Sequence, residues 1–92
     1  MADEAVARDL VIHGRVQGVF FRDTLRRLAV DAGVSGWATN SSEGTVEAHL
    51  EGPAEGVARV VEFAQHGPDR ADVERVDVSE GSVEGLQGFR VR

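Results

Sequence analysis

The segment from Gly14 to Arg22, which reads GRVQGVFFR, holds residue types whose spacing can do chemistry. Gly14 and Gly18 stand four residues apart and allow a tight loop whose backbone amides converge on one point. A helical pattern follows, so unpaired amides and the positive end of a helix dipole are expected at the same place. Arg22 lies at the predicted entrance to this helix, where its guanidinium can bind two oxygens of a phosphate or carboxylate. The segment therefore predicts an anion site built mainly from the backbone.

The spacing of the two glycines also has ordinary interpretations. Glycines four residues apart are common in turns between a strand and a helix, and an arginine in a first helical turn is often only solvated. The loop lacks the glycine-lysine-serine/threonine ending of a Walker loop, so it does not indicate nucleoside triphosphate chemistry. Spacing alone leaves the anion site and the plain turn both open.

Composition excludes several classes of site. The 92 residues include 16 acidic residues and 10 basic ones, all arginine, for a formal net charge of −6, and there is no cysteine. The absence of lysine excludes Schiff-base lysines, and the absence of cysteine excludes cysteine nucleophiles, thiolate zinc sites and disulfides. The three histidines share no metal-ligand spacing, so no metal site is predicted. An acidic chain is also poorly suited to non-specific binding of nucleic acid or anionic membranes.

The charge is divided unevenly along the chain. Residues 1–42 are neutral, and the whole negative excess falls in residues 43–92. We therefore expect an anion site in the first half.

Hydrophobic periodicity predicts the elements that must position this loop. A β-branched run predicts a strand that stops at Gly14, and apolar residues at helical spacing predict a helix directly after the loop and a second one opening at Gly52-Pro53. Alternation predicts a hairpin between the helices and two later strands. The predicted strands cover residues 8–13, 34–40, 45–51, 72–79 and 89–91, the helices cover 19–33 and 52–66, and residues 1–7 are expected to form a flexible tail.

The element order β-α-β-β-α-β, with a short closing strand, predicts one domain over residues 1–92. Its class is α+β: a ferredoxin-like sandwich with a mainly antiparallel sheet and two helices on one face. The other face is expected to be polar, with His49 and Glu51 solvated on it and Trp37 packed in the core. Because this fold carries many functions, it does not by itself identify one.

Four stretches of the sequence resemble the acylphosphatase family. They are the loop GRVQGVFFR, GWATN over 36–40, GTVE over 44–47 and EGP over 51–53, and the resemblance extends from Leu10 to Val91. It implies a small, free-standing enzyme that hydrolyses the carboxyl-phosphate bond of acyl phosphates without metal or organic cofactor. Ala38 stands where relatives often carry a bulkier or charged residue, so the pocket wall is expected to differ there.

The resemblance also implies roles for individual residues. Arg22 is implied as the phosphate ligand and Asn40 as the residue that positions the attacking water. The backbone amides implied to wrap the phosphoryl group are those of Arg15, Val16, Gln17, Gly18, Val19 and Phe20. Since the leaving carboxylate is stable at neutral pH, the chemistry needs positioning and electrostatic stabilisation rather than a general acid. We expect direct attack by water, with no phosphorylated enzyme.

Two alternatives belong to other functional classes. One is a non-catalytic acylphosphatase-like module of a larger protein, although the chain ends after a complete predicted fold. The other is a ferredoxin-like binding module, but an RNA-binding sheet would need exposed aromatic residues and a basic surface.

The expected ligands are an acyl phosphate substrate and inorganic phosphate, as product and competitive ligand. Nucleic acid and membranes are not expected as partners. An acidic N-terminus and the lack of a long apolar run predict a soluble, cytoplasmic protein, with the monomer as default.

Overall fold

A computed structural model describes residues 4–92 and contains two helices and one five-stranded sheet in that range. In chain order the elements are β1 (Ala5–Arg15), α1 (Phe21–Asp31), β2 (Ser35–Asn40), β3 (Val46–Pro53), α2 (Ala54–Ala64), β4 (Asp72–Glu80) and β5 (Phe89–Val91). The strands lie in the order β4-β1-β3-β2-β5, and every neighbouring pair is antiparallel except β2 and β5, which are parallel. The predicted ferredoxin-like α+β fold is confirmed.

The core forms where both helices pack on the same face of the sheet. Their predicted apolar stripes are buried, with Phe21 and Leu25 of α1 and Val57 and Val60 of α2 all nearly inaccessible. Each such side chain contributes about 1.5–3 kcal/mol when fully buried. The core therefore fixes α1 against the sheet, so the loop that precedes α1 is held in place where it enters the helix.

The boundaries of several elements differ from the prediction. β1 begins at Ala5 because residues 5–12 pair with residues 46–53 of β3, so residues 5–7 form strand rather than tail. The rest of the predicted tail, residues 1–3, lies outside the described residues. β3 continues to Pro53, and α2 consequently begins at Ala54. α1 begins at Phe21 because Phe20 has a left-handed backbone, with φ of 62°.

β4 contains a bulge opposite the end of β1. His13 pairs with Arg75 while Gly14 pairs with Val73, which leaves Glu74 as an extra residue. The extra residue lets Val73 and Val76 both pack against the core although they are three apart. The irregular apolar spacing of this strand in the sequence follows from the bulge.

The expectation that His49 and Glu51 are solvated is wrong, since they are only 2% and 4% exposed. His49 donates hydrogen bonds from Nδ1 to Asp9 Oδ1 (2.6 Å) and from Nε2 to Glu51 Oε2 (2.7 Å). Glu51 also accepts hydrogen bonds from the amides of Glu84 (2.9 Å) and Leu86 (2.8 Å). The segment 81–88 between β4 and β5 therefore covers part of the face that alternation marks as polar.

The same contacts set the pKa values of the pair. Burial alone would raise the pKa of Glu51, but the amide of Glu84, His49 and the amide of Leu86 lower it to about 2. Burial opposes the charged form of His49 as well, yet hydrogen bonds with Asp9 and Glu51 outweigh it and raise the pKa of His49. The pair is thus a buried ion pair that fixes segment 81–88 to the sheet.

The expectation that Trp37 packs in the core is wrong. It pairs with His49 across β2 and β3, and the two rings stack with centroids 6.2 Å apart. The Arg92 guanidinium lies 4.4 Å from the centre of the Trp37 ring. Trp37 therefore joins β2 to the buried His49 and to the residue that follows β5.

Within residues 4–92, neither helix has the length and apolar composition needed to cross a membrane.

Candidate functional site

The loop between β1 and α1 consists of residues 16–20. Just before the loop, a β-carbon at Gly14 of β1 would overlap the main-chain oxygen of Asp72, so only glycine fits there beside β4. Gly18 has φ of 75°, a conformation that glycine adopts without strain. The geometry of the backbone thus explains why both positions are glycine, which their spacing in the sequence alone could not do.

The amides of this loop have no assigned acceptor in the described part of the chain. Those of residues 16–20 donate to no backbone oxygen and to no side chain of residues 4–92. The next feature along the chain is the N-terminus of α1, where the Phe20 oxygen accepts from both the amide (3.1 Å) and Oγ1 (2.8 Å) of Thr24. Free amides and a helix dipole at one place can bind an anion.

The loop borders a cavity of about 270 Å³. Its walls come from the loop, the first turn of α1, the end of β2 and β5, and the lining residues are Val16, Gly18, Phe20, Phe21, Arg22, Asp23, Asn40 and Val91. Arg22 and Asn40, which are 18 positions apart in sequence, therefore face the same space. The structure brings together the two side chains that the sequence analysis selected.

Arg22 lies in the first turn of α1 and is half-buried. Its guanidinium donates a hydrogen bond to the main-chain oxygen of Arg92, directly after β5. One turn later, Arg26 Nε donates to the oxygen of Phe89 at 3.3 Å. α1 thereby holds β5 beside the loop, and Arg22 has a fixed position at the cavity.

Asn40 is the last residue of β2 and lines the cavity. Asn40 Oδ1 is buried and has no hydrogen-bond partner among residues 4–92. A buried acceptor without a partner is costly, by about 1–3 kcal/mol, and a bound water or a catalytic role are among the explanations for such a group.

The remaining predicted phosphate-binding residues have different surroundings. Arg15 is the last residue of β1 and pairs with Asp72 of β4, while Val19 is buried in the core. Gln17 turns its side chain away from the cavity, and Nε2 donates to the oxygens of Ser41 (2.8 Å) and Thr45 (2.9 Å). Gln17 and Val19 thus belong to the loop and Arg15 to the end of β1, and none of the three lines the cavity.

Sequence reasoning missed three contributions to the site. The Gln17 side chain ties the loop to the turn after Asn40, and no local pattern indicates its two partners. Asp23 lines the cavity, which its place next to Arg22 could have suggested. Val91 lines it because β5 runs parallel to β2, pairing Ala38 with Val91, a pairing that has no sequence signal of its own.

Two expectations about the surroundings of the site need correction. Ala38 is fully buried in the core and does not line the cavity, so it does not change the cavity wall directly. The site is also not confined to the neutral first half of the chain. β5 belongs to the acidic half, yet it carries Arg90 and is followed by Arg92.

Residues 4–92 contain no group of three or more histidine or acidic residues that could hold a metal ion.

Comparisons with known proteins agree with one another. The acylphosphatase family model matches residues 8–91. An acylphosphatase of Pyrobaculum islandicum is 50% identical over 90 residues, which cover 96% of this chain and 95% of the relative. An acylphosphatase of Haloarcula marismortui is 48% identical, over 88% of this chain and 89% of the relative.

Among solved structures, an acylphosphatase from Coxiella burnetii superposes with a TM-score of 0.91 at 35% identity. The match covers 96% of this chain and 93% of that chain.

Proposed function

The chain belongs to the acylphosphatase family, and on that basis we propose that it hydrolyses the carboxyl-phosphate bond of acyl phosphates by direct attack of water. The observation that carries this mechanism is the meeting of Arg22, Asn40 and a loop of unpaired amides at one cavity. Each of these groups supplies a different requirement of phosphoryl transfer.

The first requirement is to hold the phosphoryl group. The amides of residues 16–20 and the N-terminus of α1 supply fixed dipoles, and Arg22 supplies a positive charge that can contact two oxygens. Fixed dipoles stabilise the charge on the equatorial oxygens effectively because they need no reorganisation during the reaction. Arg15 takes part only through its backbone in this proposal.

The second requirement is to place a water opposite the leaving group. Asn40 can hold this water through its carboxamide but is too weakly basic to remove its proton. A bond forms between the water oxygen and phosphorus while the bond between phosphorus and the carboxyl oxygen breaks. The carboxylate leaves with the electron pair, and the proton of the water passes to an oxygen of the phosphate. No side chain becomes phosphorylated.

The decisive experiment is hydrolysis of benzoyl phosphate in ¹⁸O-labelled water with EDTA present. We expect turnover, with the label in inorganic phosphate and none in benzoate. Circular dichroism of the same sample checks that the protein is folded. A folded protein without activity would contradict the function, whereas label in benzoate or a phosphoenzyme trapped by rapid quenching would contradict only the mechanism.

We also infer that inorganic phosphate binds the same cavity as a competitive ligand, and that the protein acts as a cytoplasmic monomer. Among residues 4–92, the exposed large apolar side chains outside the cavity support the monomer because they lie on three separate segments of the chain: Val30, Val78 and Val83. Sedimentation and cell fractionation test the oligomeric state and the location.

A further inference from the structure

Phe20 is an exposed aromatic residue on the wall of the cavity. Its side chain is 75% exposed, whereas Phe21 and Phe89 are buried and Phe63 is half-buried. An exposed phenyl ring gains free energy when a ligand covers it. Phe20 lines the same cavity as Arg22 and Asn40. A group attached to a phosphoryl group bound there can therefore contact the ring.

The backbone of Phe20 is also unusual. It is the one non-glycine residue of the described chain with a positive φ, at 62° with ψ of 27°. This left-handed region is favoured by glycine and asparagine and is an outlier for a bulky residue. Two hydrogen bonds from Thr24 hold its carbonyl oxygen. The backbone that carries the ring is therefore fixed at the N-terminus of α1. Strained backbone conformations of this kind cluster at functional sites, and the exposed ring of Phe20 stands at the cavity.

Val91 provides a second apolar surface on the cavity. It is 39% exposed, and its strand β5 is held to α1 through Arg22 and Arg26. The other apolar side chains of the lining, Val16 and Phe21, are almost fully buried and have no area left to cover. Phe20 and Val91 are therefore the lining residues that a ligand's apolar part can contact.

We propose that Phe20, assisted by Val91, binds the acyl group and gives the enzyme a preference for acyl phosphates with an aromatic acyl group over acetyl phosphate. This inference rests on the proposed function, because the loop and Arg22 must first hold the phosphoryl group. A phenyl ring on the substrate can stack on or pack edge-to-face against Phe20, whereas an acetyl group offers one methyl for the same contact.

The test is the ratio of kcat/KM for benzoyl phosphate to kcat/KM for acetyl phosphate. In Phe20→Ala we expect this ratio to fall about tenfold, because the variant loses the free energy of one aromatic contact and of the apolar area that the contact buries. Val91→Ala should lower the ratio by a smaller factor. Phe20→Tyr retains a ring and should keep the ratio close to that of the wild type.

Two further variants separate acyl contact from other effects. Phe20→Asn suits a left-handed backbone but lacks the ring, so it should lose the preference as Phe20→Ala does. Val30→Ala removes an exposed apolar side chain from α1 outside the cavity lining, and it should leave the ratio unchanged.

The outcomes are distinct. Unchanged ratios in both Phe20→Ala and Phe20→Asn, with the wild type active on both substrates, would overturn this inference and leave the proposed function standing. A ratio restored by Phe20→Asn would show that the backbone, not the ring, matters, and would also overturn it. A folded wild type that hydrolyses neither substrate would overturn the proposed function and this inference with it.

Discussion

Arg22 donates a hydrogen bond to the main-chain oxygen of Arg92, a residue 70 positions away in sequence. The contact links the first turn of α1 to the residue after β5 and orients the guanidinium at the cavity. A phosphate entering the site would offer the planar guanidinium of Arg22 two charged oxygens as acceptors. The side chain expected to bind substrate is thus already held in place by the fold.

Arg22→Ala should lower kcat/KM for benzoyl phosphate by about a thousandfold or more, since it removes a charge-assisted contact from the transition state. Arg22→Lys should recover part of the loss because it restores the charge without the planar fork. Steady-state kinetics measure both. Arg59→Ala on the exposed side of α2 is the control, and near-normal turnover of Arg22→Ala would refute the role of Arg22.

Asn40→Ala should lower kcat by about a hundredfold while the inhibition constant of inorganic phosphate stays within about twofold, because positioning contributes to the reaction rather than to binding. Phosphate inhibition of the residual activity measures the second quantity. If phosphate affinity collapsed together with turnover, Asn40 would be a ligand or a structural residue instead. Thr39→Ala, next to it on β2, is the matched control.

Gln17→Ala should loosen the loop, because it removes both hydrogen bonds to the oxygens of Ser41 and Thr45. We expect the inhibition constant of phosphate to rise severalfold and the free energy of unfolding to fall by about 1–3 kcal/mol. Inhibition kinetics and urea unfolding measure these changes. The exposed Gln65→Ala serves as control, and unchanged phosphate binding in Gln17→Ala would show that the loop keeps its shape without this tie.

Stability should depend on pH through Glu51. Its pKa is about 2 in the folded protein against an ordinary 4.5, so its contribution is complete above pH 4.5 and lost as the pH falls towards 2. The shift corresponds to about 3 kcal/mol. His49 acts with the opposite sign: its raised pKa stabilises the fold below pH 6.5, and this contribution is lost as the pH rises through the folded-state pKa.

Urea unfolding between pH 2 and 8 measures this dependence. Glu51→Gln should lower stability near pH 6 by about 3 kcal/mol, since it leaves a buried imidazolium with one carboxylate fewer, and it should flatten the acid limb. Glu74→Gln, on an exposed position of β4, is the control. If Glu51→Gln lost stability at acid pH in the same way as the wild type, the group responsible for that loss would not be Glu51.

Local patterns identified most of the elements and the main loop. The stripes containing Phe21 and Val57 repeat at helical spacing, and the period-two run around Ala48 marks a strand, so each can be recognised without its neighbours. Gly18 marks a turn for the same reason, because its positive φ is a local property, whereas the need for glycine at position 14 comes from the approach of β4.

What escaped prediction depends on contacts between distant segments. Alternation correctly assigned His49 and Glu51 to the face opposite the helices, but it carries no information about which segment covers that face. The amides of Glu84 and Leu86 reach Glu51 only because segment 81–88 crosses the sheet. Likewise, the parallel pairing of β5 with β2, which puts Val91 at the cavity, is set by packing against α1.

β5 has only three residues, yet it completes one wall of the cavity and lies at the edge of the sheet. Contacts between segments so far apart in sequence close late and slow the folding of a chain, because the entropy of the long loop is lost first. We therefore expect a refolding chain to regain hydrolysis only when β5 has docked, because the cavity lacks one wall until then. Trp37, the single tryptophan, contacts Arg92 at the same junction, so its fluorescence reports directly on the step that makes the enzyme competent.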